Sequence, residues 1–233
     1  MTDLLAFLKD KNLPNAEKLA DTLERFTDLT LDWNEKINLT AIRDRDEFIR
    51  KNVMDSLTLL GDPSLENASR VLDLGTGGGF PGMPLAIVCP DKQFVLMDSV
   101  GKKLKAVEAV ASELGLTNVA VIHARAEDAA REPLFRESFD LVTSRAVAAM
   151  PVLSEYCIPF LKVGAFFAAY KTEASADEIN SAARAVKLLG AEPAGTIASC
   201  VKEDSHIIVL YRKVKPTPSA YPRKAGMPSK LPL

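Results

Sequence analysis

Four glycines in five residues, Gly75-Thr76-Gly77-Gly78-Gly79, follow the apolar run Val71 to Leu74. An apolar segment of helical length begins soon after, at Pro84. Strand, glycine turn and helix in that order form the opening unit of a doubly wound α/β domain. Such a turn visits φ > 0 and leaves backbone uncovered, so a ligand can lie directly against the chain. The plain alternative is a tight turn without a ligand, but glycine costs conformational entropy wherever it stands, and this concentration of it points to a use. A dinucleotide loop follows G-x-G-x-x-G. Here the sixth position from Gly75 is Phe80, so the pattern is G-x-G-x-G with the acidic Asp73 just before it. Asp98 comes 23 positions after Gly75, at the end of a second apolar run. An acid at about that distance is placed to take the hydroxyls of a ribose; otherwise it complements a helix N-terminus.

Asp73 with Gly75, Gly77 and Gly79 resembles the first motif of class I S-adenosylmethionine-dependent methyltransferases. Their cofactor has no pyrophosphate for a helix N-terminus, and it rests against the glycine backbone instead. That architecture places the pair after the third strand, Ala126 and Glu127, along the adenine ring, with a solvated helix start as the alternative for the Glu127 side chain. It places Ser144-Arg145-Ala146, after the fourth strand, where the methyl group moves. Many amine methyltransferases of nucleic acids carry Asn/Asp-Pro-Pro-Tyr at this step, and cytosine-C5 enzymes need a cysteine, often after proline. Neither pattern occurs here. Arg145 suits a target from which no proton is removed. Guanine N7, with a free lone pair, is such a target, and catalysis there is mostly alignment and electrostatics. Arg145 then holds guanine O6 or a phosphate, or lies near the cofactor; the alternative is an arginine tied to the sheet end by a salt bridge.

These residues need a scaffold, and the chain alternates to supply one. Expected strands are Val71–Leu74, Gln93–Asp98, Val119–His123, Asp140–Ser144 and Ala165–Tyr170, with a closing pair Ala198–Lys202 and His206–Arg212 around the turn Glu203-Asp204-Ser205. Expected helices run through Val88, from a Ser99 cap to Leu114, from Pro151 to Leu161, and from Asp177 to Leu189 before Gly190. The fold is thus read as α/β: a seven-stranded, mostly parallel Rossmann-like sheet with helices on both faces. Apolar residues at three- and four-residue steps predict amphipathic helices before Gly61, with a third helical segment from Asp46 to Leu60. Residues 1–65 are expected to form a helical cap and residues 66–213 the cofactor-binding domain. Residues 214–233 form a basic tail with five prolines, expected to be extended. His206 reads as structural, and Lys171 as a solvated lysine past the fifth strand.

With 233 residues, the chain has room for one α/β domain and a small appendage. No apolar run reaches the ~18 residues of a membrane span. The N-terminus does not look like a signal peptide. Cys89, Cys157 and Cys200 are too scattered for a metal cluster or a disulfide framework, and no metal is expected. A cytoplasmic monomer is the expectation. Net charge is −2, yet from Arg212 onward six basic residues stand without an acidic one, leaving 23 basic against 31 acidic groups in the rest. An acidic body with a basic tail suggests a polyanionic partner. Arg212, Lys213, Lys215, Arg223, Lys224 and Lys230 are the candidate RNA contacts, with Arg43, Arg45, Arg50 and Lys51 near the mouth of the site.

Five stretches together resemble the bacterial 16S ribosomal RNA guanine-N7 methyltransferases, the RsmG or GidB family. They are Arg70–Val88 with its Gly79-Phe80-Pro81-Gly82-Met83-Pro84, the pair Asp98-Ser99, the step Ser144-Arg145-Ala146, Asn38-Leu39-Thr40-Ala41-Ile42 and the tail Tyr221 to Pro228. The resemblance covers nearly the whole chain. It implies methyl transfer from S-adenosylmethionine to N7 of one guanosine in a 16S RNA stem-loop, on naked RNA or on the small ribosomal subunit. Cofactor contacts carried over from the family fall on Gly75, Phe80, Ala126, Glu127 and Arg145. The chain departs from the family at Asn52, where a histidine is common, and at Thr172, where glycine usually follows the lysine. Three rival readings are a small-molecule methyltransferase of the same fold, a nicotinamide-dependent oxidoreductase, and a non-catalytic RNA-binding assembly factor.

Overall fold

The computed structural model describes residues 3–201 and 206–233; the expected turn Glu203-Asp204-Ser205 lies outside the described residues. Seven strands form one sheet: β1 (Arg70–Leu74), β2 (Gln93–Asp98), β3 (Val119–His123), β4 (Phe139–Arg145), β5 (Leu161–Thr172), β6 (Ala191–Ala198) and β7 (His206–Lys213). Their spatial order is β3-β2-β1-β4-β5-β7-β6. Strands β1 to β5 are parallel, and β7 runs antiparallel between β5 and β6. Connections leave β1 toward β2 on one side and return to β4 on the other. Ligands of open α/β sheets bind outside the carboxyl ends of the strands at such a reversal.

Apolar side chains alternate between the two faces, as period two requires. Val71, Phe94 and Leu96 join one core, and Leu72, Val95 and Met97 the other. The first core is covered by α5 (Gly82–Val88) and α6 (Gly101–Glu113), and by the N-terminal helices α1 (Asp3–Asp10) and α2 (Ala16–Asn34). Phe26 of α2 meets Phe80 edge-on at 5.6 Å between ring centroids, so the N-terminal segment packs onto the glycine loop itself. The second core is covered by α7 (Ala126–Ala129), α8 (Met150–Cys157), α9 (Ala176–Ser181) and α10 (Ala183–Leu188).

Several boundaries differ from expectation. Helix α5 begins at Gly82, because the Asp73 carboxylate accepts from the Gly82 N–H and starts the helix two residues before Pro84. Ser99 does not cap α6; Asp98 supplies the turn by accepting from the Val100 N–H at 2.8 Å. Lys162-Val163-Gly164 is an irregularity inside β5, where the register against β4 shifts after Phe139. The expected helix over 177–189 is two short ones, α9 and α10. The sixth strand lies at 191–198, and residues 199–201 do not continue it, while Lys202 of the expected strand lies outside the described residues: β6 is an exposed edge strand with Pro193 and Gly195, and an edge carries no apolar alternation to read. The third N-terminal segment opens with α3 (Arg45–Phe48), continues as a π-helical turn over Ile49–Met54 and ends in a 3-10 turn over Leu57–Leu59. After it comes α4 (Pro63–Glu66), capped by Asp62.

Residues 214–233 are packed rather than extended. Arg136 donates to the carbonyls of Thr217 and Tyr221, each at 2.8 Å, and Arg131 to that of Pro222 at 2.6 Å. The segment ends in the one-turn helix α11 (Met227–Lys230).

Candidate active site

The carboxyl ends of β1, β2 and β4 open into a cavity of about 450 Å3. Gly75, Thr76, Gly77 and Gly78 form its floor, Asp98 and Ser99 stand at the end of β2, and Ala124 to Glu127 follow β3. Arg145, Ala146 and Val147 follow β4. Of the cofactor residues expected from the sequence, Gly75, Gly77, Phe80, Asp98, Ala126, Glu127 and Arg145 all line this one space.

Gly77 has φ +56, and a Cβ placed there meets nothing closer than 3.9 Å. The backbone is therefore bare toward open space, as a backbone-resting ligand requires. The Gly77 N–H donates to Asp98 Oδ2 at 2.8 Å, while Asp98 Oδ1 accepts from Val100. Each carboxylate oxygen keeps a lone pair, so Asp98 can still receive both hydroxyls of a ribose. Leu39, Leu74, Met97 and Phe80 give the same cavity apolar walls. This mixture of bare backbone, a diol acceptor and apolar walls fits S-adenosylmethionine.

Two expected contacts do not reach the cavity. Asp73 is fully buried, and its carboxylate is spent within the loop. It accepts from Thr76 Oγ1 at 2.6 Å, the Gly82 N–H at 2.9 Å and Thr143 Oγ1 at 3.0 Å. Burial pushes its pKa up to about 6 despite those hydrogen bonds. Its work is to hold the turn between β1 and α5. Gly79 points inward, where a Cβ would lie 2.7 Å from Met83 Cγ; close packing on α5, not a ligand, accounts for it.

Arg145 joins the sheet to the N-terminal segment. It donates to the Lys51 carbonyl at 3.0 Å, to Asn52 Oδ1 at 2.7 Å and to Asp55 Oδ2 at 3.3 Å. Its guanidinium also lies 5.2 Å from the centroid of the Phe80 ring. The salt-bridge alternative is thus realised, yet the arginine still lines the cavity. A second cavity of about 400 Å3 shares Asn52, Arg145 and Ala146 with the first and extends to Asp55, Tyr170, Lys171 and His206. Asp55 Oδ1 accepts from Ser199 at 2.9 Å and lies 3.3 Å from His206 Nδ1. Lys171 is not solvated: its ammonium donates to the Ala148 carbonyl and to Glu178, at 2.8 and 2.6 Å.

The sequence reading passed over Asn52, Asp55, Tyr156, Gly226 and Ser229 as site residues. Asn52 sits on the π turn, and such turns recur at functional sites because they re-aim a side chain. Asn34 holds the neighbouring wall by accepting from the N–H groups of Leu39 and Thr40 at 2.8 and 3.0 Å. Their legible signal was the stretch Asn38 to Ile42.

The basic tail divides. Arg212, Lys215, Lys224 and Lys230 are exposed. Lys213 is not available to RNA: its side chain is 0% exposed, and it donates to Glu137 at 2.7 Å and to the Ile158 carbonyl. Burial lowers its pKa. Arg223 is equally committed, in a two-pronged pair with the fully buried Glu155 at 2.6 to 3.1 Å. Near the mouth, Arg45 pairs with Asp28 and Glu24, Lys51 with Glu47, and Arg43 donates to the Asn34 carbonyl, while Arg50 is exposed.

Known proteins share the fold and much of the sequence. A SAM dependent methyltransferase from Aquifex aeolicus superposes with a TM-score of 0.56 over 78% of this chain and 97% of its own, at 16% identity. The Methanococcus jannaschii fibrillarin pre-rRNA processing protein gives 0.53 over 65% and 70%, at 15% identity. At such identities these matches establish the class I methyltransferase fold alone. A protein from Desulfitobacterium hafniense named ribosomal RNA small subunit methyltransferase G is 46% identical over 99% of this chain and 97% of its own. Its namesake in Streptococcus thermophilus is 41% identical over 99% and 98%. The family model described as rRNA small subunit methyltransferase G matches residues 19–208. The family match and the full-length relatives show that the chain belongs to the rRNA small subunit methyltransferase G family.

Proposed function

We propose that this chain transfers a methyl group from S-adenosylmethionine to N7 of one guanosine in 16S ribosomal RNA. The observation that carries the reading is the pair of cavities meeting at Arg145, Ala146 and Asn52. One has the bare glycine backbone and the diol acceptor of a nucleoside site; the other has room for a base.

When bound, S-adenosylmethionine supplies a sulfonium-activated methyl group. In this reading Asp98 holds the ribose hydroxyls, the backbone at Ala126 and Glu127 meets the adenine edge, and Gly75, Gly77 and Phe80 complete the bed. Arg145 is the residue nearest to catalysis. Its guanidinium is fixed by Asn52, Asp55 and the Lys51 carbonyl and stacked over Phe80, so its remaining N–H groups have a set direction. An oriented arginine can hold the O6 edge of guanine or an adjoining phosphate and so aim N7. No side chain has to take a proton, because N7 attacks with a free lone pair. In the second cavity Arg145 pairs with Asp55 and Lys171 with Glu178. RNA offers such a base where it is unstacked in a loop. The exposed Arg212, Lys215, Lys224, Lys230 and Arg50 are the candidate phosphate contacts. We also read residues 1–65 as a cap on the methyltransferase domain 66–213. Among the described residues no helix is long and apolar enough to cross a membrane, which agrees with a cytoplasmic protein.

The test is transfer of labelled methyl groups to 16S RNA or small subunits, followed by nucleoside mass spectrometry. A single new 7-methylguanosine is the expected product. Methylation at another atom ends the N7 assignment, and label on free metabolites but not on RNA restores the small-molecule reading.

A further inference from the structure

We propose that the C-terminal strap, residues 221–230, is part of the cofactor site and closes its adenosine end. This rests on the cofactor reading of the first cavity. Gly226 and Ser229 line that cavity although they lie beyond residues 19–208, the part matched by the family model.

The strap is held by two buried carboxylates, on α8 and on α7. Glu155 on α8 is 0% exposed. Among the described residues it accepts four hydrogen bonds, all from Arg223: one from the backbone N–H and three from the guanidinium. Glu127 on α7 is 4% exposed and accepts from the Gly226 N–H at 2.8 Å. Buried carboxylates are costly without such donors, so α7 and α8 are built for a docked strap. Gly226 itself has φ +80, a conformation that lets the chain turn at the cavity edge and begin α11. The Ser229 hydroxyl then meets the Tyr156 hydroxyl at 2.8 Å, and both residues are in the cavity wall.

Glu127 is the link between strap and ligand. Its own stretch, 124–127, is the wall proposed for the adenine edge, and its carboxylate grips the strap. A ligand that fills this end therefore packs against Gly226 and Ser229 and stabilises the docked strap. By linkage, the docked strap raises affinity for the ligand by the same factor.

S-adenosylhomocysteine is the probe, titrated by calorimetry into the full-length protein and into Ser229→Trp and Ser229→Ala. An indole in the wall should weaken binding by at least about tenfold, and removal of the hydroxyl alone by less than about threefold. Thermal melts without ligand verify that the variants fold. In parallel, trypsin cleavage of the unsubstituted protein after Lys224 and Lys230 should slow at least about tenfold at saturating probe. Undiminished affinity in Ser229→Trp overturns the proposal, as does cleavage that the probe does not slow. If the unsubstituted protein takes up no probe, the cofactor reading of the cavity fails first, which a strap failure alone would not cause.

Discussion

Arg145 and Arg223 each bind a terminal segment to the sheet, and they end with different freedom. Arg223 spends its donors on Glu155, which no solvent reaches. Arg145 is held just as firmly, but by a carbonyl, an amide and a shared carboxylate, and it keeps a face on two cavities. Asp73 and Asp98 repeat the contrast 25 positions apart: the first is consumed inside the glycine turn, and the second accepts one backbone N–H per oxygen and still faces the cavity. A charged group with all its valences filled by protein is architecture. One that is oriented by protein and left with spare valences is where ligand chemistry belongs.

Substitutions can break this division. Arg223→Ala should have the largest effect, a loss of about 3–5 kcal/mol in urea unfolding, because it strands a buried carboxylate. A loss below ~1 kcal/mol would show that the strap pair is not structural. Asp73→Asn comes next and brings a pH signature. The folded pKa is raised from 3.8 to about 6, so the native state holds the proton more tightly. The wild-type contribution is full below pH ~4 and is lost as pH rises through ~6, a swing of about 3 kcal/mol at most. The stability gap between wild type and Asp73→Asn should therefore move in favour of the variant from pH 5 to pH 7.5. A gap independent of pH removes Asp73 from the list of buried charges.

Arg145→Lys should retain the fold and lower kcat/KM on RNA by about tenfold to a hundredfold, since an ammonium lacks the planar fork. S-adenosylhomocysteine affinity should change far less. If stability falls and activity per folded molecule does not, Arg145 belongs with Arg223. The smallest effect is expected for Lys224→Glu combined with Lys230→Glu: weaker RNA binding, and a salt dependence shallower by about one or two units of log–log slope. No change in slope would place the phosphate contacts elsewhere.

Much of this was legible in the sequence, and the gaps have physical causes. Strands β2 and β3 were readable to the residue because their apolar runs end at turns. Edge strand β6 was not, because solvent asks nothing of its side chains. The glycine loop announced a ligand, but composition could not say which of Asp73 and Asp98 would be used up locally; that depends on where Thr76, Thr143 and the Gly82 N–H point. The tail misled most. Its prolines and positive charge read as an extended RNA-binding arm. Yet Lys213 and Arg223 are partnered by Glu137 and Glu155, 76 and 68 positions away. Pairing over such a distance leaves no local trace.

The strap has a consequence for how the site would respond to clipping. Residues 221–230 lie outside the sheet, so a cut there removes Gly226 and Ser229 from the cavity wall and leaves all seven strands unbroken. In the reading proposed above, such a nicked protein would lose its grip on a nucleoside before it lost its scaffold.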